Sequence, residues 1–304
     1  MAPQRARPSH DEAADVQIIR SRQSQVGSLP VRRTLPQRGL RTVGPWCFVD
    51  HMGPATIDDA GRGLGVAPHP HIGLQTVTWL LDGEVLHRDS LGTEQVIAPG
   101  QLNLMTAGHG VSHSEEGTGR YRGPIQGAQL WIAQPDETRH AQPAFEHFAE
   151  LPAIDVGHAT ATVLTGELDG TASPARRDSD HSGFDLALRP GDTTLPLRPD
   201  YEHALVVLTG AVQVHGTTAV PGELVYLAPG FDELHLTVDS PTRALLLGGI
   251  PLDDPVLIWW NFVARTRDEI SAAHRDWTEG HERFGHVDSS RPRTDVDPPI
   301  WSKQ

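Results

Sequence analysis

The stretch TWLLDGEVLH at 78–87 matches VVLTGAVQVH at 206–215, with Gly83 opposite Gly210 once the second is offset by one residue. A Pro-Gly pair follows each, Pro99-Gly100 and Pro221-Gly222, and then a strand-like run, QLNLMTAG or ELVYLAPG, closing on Gly108 or Gly230 at matching distances. Three glycine landmarks in one order favour duplication over chance, so the same supersecondary unit is expected twice. Within each copy, short apolar runs alternate with turn residues. In the first, Asp82-Gly83 supplies the positive φ angles of a tight hairpin turn. Turns at this density, with 30 glycines and 25 prolines, predict an all-β chain of two related barrels or sandwiches.

The length agrees, since 304 residues is about twice a common single-domain size. Residues 1–14 are polar and rich in proline and arginine, which predicts a disordered lead. The first unit is expected over 15–140, the second over 141–250, and a tail over 251–304. In that tail VLIWWNFVART and DEISAAHRDWTEGH carry fewer turn residues and more helix formers, with Asp268 and Glu269 near a helix start. The spacing therefore predicts a helical tail packed on the barrels, with Trp259, Trp260 and Phe262 as core or docking residues. The last segment, RPRTDVDPPIWSKQ, should lie extended over the surface.

Charge and cysteine content narrow the function classes. A formal net charge of −14 repels a phosphate backbone, and no Lys/Arg-rich run offsets it, so direct nucleic-acid binding is not expected. The single cysteine, Cys47, excludes an intramolecular disulfide and a cysteine-based zinc site. It suits a reducing cytosol and reads as a small buried hydrophobe. No segment reaches the roughly 20 apolar residues that span a bilayer, so the expected location is the cytoplasm, without membrane attachment.

Among 17 histidines, two patterns stand out. His69 and His71 are one residue apart, so on a strand both side chains leave the same face; His113 and Glu115 share parity in the same way. Pro70 holds His69 extended. Three imidazoles and one carboxylate from two strands form a donor set for Fe(II), Mn(II), Ni(II), Cu(II) or Zn(II). His87, His109, His140, His147 and His158 lack such pairing. Gln75 and Met105 could orient a substrate, though barrel lining is the simpler reading.

The residues APHPHIG at 67–73 and PGQLNLMTAGHGVSHSE at 99–115 resemble the pirin family, and the likeness extends over about residues 36–134. The resemblance implies two tandem cupin barrels of jelly-roll type, with iron held in the first by an HxH pair and a later HxE pair, here His69, His71, His113 and Glu115. Gln75 stands where many cupins place a glutamate ligand, which leaves that role to Glu115.

The repeat supplies an internal control. Counting from its glycines puts Pro196, Arg198, His235 and Thr237 at the positions equivalent to the four ligands. Three of four are lost, so the second barrel is expected without a metal site. Glu202, His203 and His235 form only a weak alternative cluster.

The resemblance further implies Fe(II)-dependent dioxygenase activity of quercetin 2,3-dioxygenase type on a small, oxygen-rich aromatic substrate, with Glu115 as both ligand and general base. The competing expectation is a regulator whose iron senses redox state and which acts on a protein partner, a metabolic enzyme or a transcription factor. Fold and ligand set do not separate the two.

Overall fold

The computed structural model describes residues 16–302, so the expected lead at 1–14 lies outside the described residues. Two units of the same plan follow one another, each a seven-stranded sheet facing a four-stranded one, with every pairing in these four sheets antiparallel. In the first, the large sheet runs Ala144–Phe148, Leu102–Thr106, Leu74–Asp82, Gly123–Ala133, Trp46–Ile57, Leu29–Leu35, Arg22–Val26. Its small sheet runs Val66–His71, Val111–Glu116, Val85–Asp89, Glu94–Ile97. In the second, the large sheet runs Val16–Arg20, Glu223–Leu227, Glu202–Thr209, Thr242–Gly249, His181–Leu188, Ala159–Thr165, Ala153–Val156. Its small sheet runs Gly191–Pro196, Glu233–Val238, Val212–Val214, Thr217–Ala219. The fold is all-β, two tandem cupin barrels, and the duplicated stretches occupy matching places in it.

One local expectation is corrected. Leu74–Asp82 and Val85–Asp89 do not pair as a hairpin but lie in different sheets, as do Glu202–Thr209 and Val212–Val214. Gly83 (φ +99°) and Gly210 (φ +74°) turn the chain around the barrel corner, a conformation that side chains with a Cβ resist.

The units exchange edge strands. Val16–Arg20 pairs with Glu223–Leu227 of the second barrel, while Ala144–Phe148 pairs with Leu102–Thr106 of the first. A cut at residue 140 would therefore part Ala144–Phe148 from the sheet it completes.

Side-chain alternation explains why the strands read as nearly unbroken apolar runs. On Glu202–Thr209, Leu205 and Val207 fill the second barrel, while Ala204, Val206 and Leu208 pack against Val77, Trp79, Leu104 and Leu130 of the first. The barrels thus share an apolar seam beside their own interiors. Trp46 crosses it, its indole N–H shared between the carbonyls of Ser182 (3.2 Å) and Gly248 (3.1 Å). Trp79 donates to Asp185 at 2.9 Å.

The tail is helical only over Arg267–Glu279, capped by Thr266, whose hydroxyl accepts from the Glu269 N–H, and by Gly280 in the left-handed region. The run expected to extend that helix toward Val256 instead forms a short hairpin, Leu257–Trp259 with Phe262–Ala264, turning at Trp260 (φ +53°). Aromatic and β-branched residues there favour strand, and Phe262 seals a cluster with Ile72, Ile270 and Trp277. The final segment does lie along the surface of the fold: Thr294 donates its N–H to Pro68 and accepts from Trp277, joining tail, helix and first barrel.

Candidate metal centre

Val66–His71 and Val111–Glu116 are neighbours in the small sheet, with His69 opposite His113 and His71 opposite Val111. Parity points His69, His71 and His113 into the barrel, where each offers a nitrogen within 4.8 Å of the others'. The ring centroids are 4.4 Å apart for His69 and His113 and 4.9 Å for the other two pairs. Glu115 enters the same cavity but stands outside this group of three. The register shifts between His113 and Glu115, and the Glu115 carboxylate accepts from the Thr78 hydroxyl at 3.0 Å.

The outer nitrogens fix the tautomers. His69 Nδ1 meets the Ala67 carbonyl at 2.9 Å and His71 Nδ1 the Asn261 carbonyl at 3.0 Å. A carbonyl only accepts, so both Nδ1 atoms carry hydrogen and both Nε2 atoms present lone pairs. His113 Nδ1 lies 3.3 Å from His87 Nδ1, and His87 Nε2 lies 3.2 Å from the Asp89 carboxylate. With the His87 Nε2–H donating to Asp89, its Nδ1 accepts from His113 and leaves His113 Nε2 bare as well. His87 is held in place by stacking on Phe145 at 4.5 Å.

In this arrangement the Nε2 atoms of His71 and His113 face each other at 3.1 Å. Two lone pairs at that distance repel unless a cation lies between them. Two nitrogens bound to one ion at about 2.1 Å and near a right angle would be about 3 Å apart, so the donors fit a transition metal. Burial favours the neutral, ligating form: it pulls the His69 imidazole down to about 4, and those of His71 and His113 well below their ordinary value with help from neighbouring imidazoles. The same desolvation raises the Glu115 carboxyl.

The cavity over these nitrogens measures about 650 Å³. Phe48 and Trp131, stacked at 4.0 Å, form one wall, and Trp131 meets His71 edge-on at 5.3 Å. Trp260 and Asn261 of the tail hairpin close over it. Gln75 is not part of this lining; it is buried and donates to Thr106, and Met105 packs in the barrel core. Cys47 is buried, its thiol pushed up to about 12 by desolvation, the state of an inert packing residue.

Sequence spacing missed His87, Asp89 and Asn261. His87 and Asp89 repeat the same one-apart pattern as the ligand pairs, a signal that was available; Asn261 acts through its backbone and left none.

In the second barrel the counted equivalents fall out of phase. His235 and Thr237 point outward, bonded to Thr194 and Asp192, while Leu234 and Leu236 fill the interior. Glu202, His203 and His235 are not brought together: Glu202 faces the inter-barrel seam, accepting from the Gly44 N–H (2.7 Å) and the Tyr226 hydroxyl (2.9 Å).

Comparison with known proteins agrees with the fold. Residues 28–132 match the family model described as Pirin, and 183–285 the one described as Pirin C-terminal cupin domain. A Pseudomonas aeruginosa protein provisionally named quercetin 2,3-dioxygenase is 46% identical, over 94% of this chain and 91% of its own. A pirin-like protein of Caulobacter vibrioides is 38% identical, over 89% and 96%. The crystal structure of a quercetin 2,3-dioxygenase from Acinetobacter baumannii superposes with a TM-score of 0.90 at 41% identity, covering 95% of this chain and 96% of that one. With both halves matched, this chain belongs to the pirin family of bicupin proteins.

Proposed function

We propose that the protein is a metal-dependent dioxygenase of quercetin 2,3-dioxygenase type, acting on a small, flat, oxygen-rich aromatic molecule. The observation that carries this reading is the gathering of three buried imidazoles, each with a nitrogen within 4.8 Å of the others', beside an aromatic-walled cavity. The names of the relatives from P. aeruginosa and A. baumannii support the reaction class.

In this reading His69, His71 and His113 hold the ion and Glu115 completes the set by leaving Thr78. Fe(II) is the favoured occupant, and Mn(II), Ni(II), Cu(II) and Zn(II) suit the same donors. When bound, the metal supplies Lewis acidity and one-electron chemistry toward dioxygen. The chain's own residues do the rest. Phe48 and Trp131 give the substrate ring an aromatic wall to pack against. Glu115, its proton affinity raised by burial, takes the proton of the substrate hydroxyl. Before the ion binds, Thr78 holds that carboxylate at 3.0 Å, and Gln129, also at 3.0 Å, can take the Thr78 hydroxyl once Glu115 has left it. Trp260 and the tail limit water at the mouth.

Anaerobic reconstitution with Fe(II), followed by quercetin and oxygen, tests the reading through loss of flavonol absorbance and release of carbon monoxide. Absence of turnover, together with capture of a protein partner that depends on iron redox state, would overturn it in favour of the sensing role.

A further inference from the structure

The large sheet of the first barrel carries a straight polar row into the cavity. Cross-strand partners place Arg22 opposite Arg33, Arg33 opposite Asp50, Asp50 opposite Gln129 and Gln129 opposite Thr78, which reaches Glu115. Directly opposed residues share a face, and all five belong to or border the cavity over the imidazoles; Arg22, Arg33, Asp50 and Gln129 line it.

At the outer end of the row two arginines meet one carboxylate, Asp50, while Glu115 lies at the inner end beside the imidazoles. Asp50 is fully buried and grips Arg33 twice, Oδ1 from Nε at 2.7 Å and Oδ2 from Nη2 at 2.6 Å. This fixes the guanidinium over the Phe48 ring at 4.4 Å and leaves its Nη1 edge without a partner among the described residues. Arg22, exposed beside it, forms no ion pair among the described residues, and like charges set opposite each other cost stability unless something offsets them. Arg62 and Arg291 lie against Gly65 on the same rim. A chain with net charge −14 thus keeps unneutralised positive charge at the mouth of this cavity.

We propose that the cavity is built for a planar aromatic monoanion, whose carboxylate docks on Arg33 and Arg22 while its ring hydroxyls reach the imidazole centre. The inference rests on the metal-site reading above and adds the charge of the substrate. Adjacent strands lie about 4.8 Å apart, so the Arg33 and Thr78 backbones are at most about 14 Å apart. A molecule of one ring and a short acid arm spans the gap once the side chains have reached inward. Phe48, sandwiched between the Arg33 guanidinium and Trp131, and Trp131 itself line the space between the two ends.

The probes are caffeate and its neutral methyl ester, titrated into the Zn(II)-loaded protein and followed by tryptophan fluorescence. Zinc is redox-silent, so binding is read without turnover. Caffeate should bind about tenfold more tightly than the ester at low salt, with the gap closing near 0.5 M salt. Arg22→Gln should cut that preference about threefold. Arg33→Gln combined with Asp50→Asn, which avoids stranding a buried charge, should abolish it while the ester's affinity stays. Equal affinity for acid and ester in the parent protein overturns the proposal without any variant, as does a preference that survives both sets of substitutions. Failure of quercetin turnover with iron, with the acid preference intact, would remove the dioxygenase reading and leave this one standing.

Discussion

His71 Nε2 and His113 Nε2 face each other at 3.1 Å across the first barrel, each with its Nδ1 already committed, His71 to the Asn261 carbonyl and His113 to His87. The pair is therefore arranged for a shared cation rather than for a hydrogen bond between the rings.

Replacing either ring removes a donor from this arrangement. His71→Ala or His113→Ala should lower Fe(II) and Zn(II) affinity by more than the 10- to 100-fold typical of losing a supporting residue. Glu115→Ala should weaken binding too. Calorimetric titration of the metal-free proteins checks this, and parent-like affinity in all three would refute the ligand assignment.

Asp89→Asn tests the relay behind His113. The new amide would donate to His87 Nε2 and reverse the chain, so that His87 Nδ1–H donates to His113 Nδ1 and the hydrogen moves to His113 Nε2. That nitrogen then cannot ligate. Metal affinity should fall about 10- to 100-fold. The Asp89 Oδ1 contacts to the Leu91 and Thr93 N–H groups are kept, so the melting temperature of the metal-free variant should stay within a few degrees of the parent. Unchanged affinity would show that His113 is oriented without His87 and Asp89.

Acid stability follows from the buried imidazoles. Desolvation holds His51, His69, His181 and His203 down to about 4, against 6.5 when exposed. Each stays neutral in the fold while the unfolded chain takes up the proton first. Its contribution is thus complete above pH 6.5 and is lost as pH falls toward 4, at most roughly 3 kcal/mol per group. The metal-free protein should lose thermal stability steeply across that window, and His181→Gln should flatten the slope. A melting temperature constant between pH 6.5 and 4 contradicts the assignment.

The shared apolar seam predicts that the barrels unfold together. Trp46→Phe removes the N–H shared by the Ser182 and Gly248 carbonyls in the seam and should cost about 2 kcal/mol. Urea unfolding should show one transition moved to lower denaturant with its slope preserved. Two separated transitions would mean that the barrels are independent.

The grouping of the three histidines was legible because strand parity is a local rule: His69 and His71, or His113 and Glu115, share a face wherever they lie on strands. The same rule failed for the second barrel, where counting along the loops placed His235 on the face that the pairing turns outward. It also paired strands across Asp82-Gly83 that the barrel assigns to different sheets. A run such as Val256 to Thr266, dense in apolar residues, reads equally as helix or hairpin until its partner is known; Ile72, bridging to Phe262, helps decide it.

The sequence alone determined the duplication, the all-β plan and the histidine pairs, since repeats and two-residue periodicity are written in order along the chain. Tertiary structure decided which nitrogen of each imidazole is free, that Glu115 rests on Thr78, and that the edge strands are exchanged. It also turned a backbone carbonyl 190 residues away toward His71. These depend on pairing and burial between distant segments, and a one-residue change of register there inverts every face without altering a letter of the local pattern.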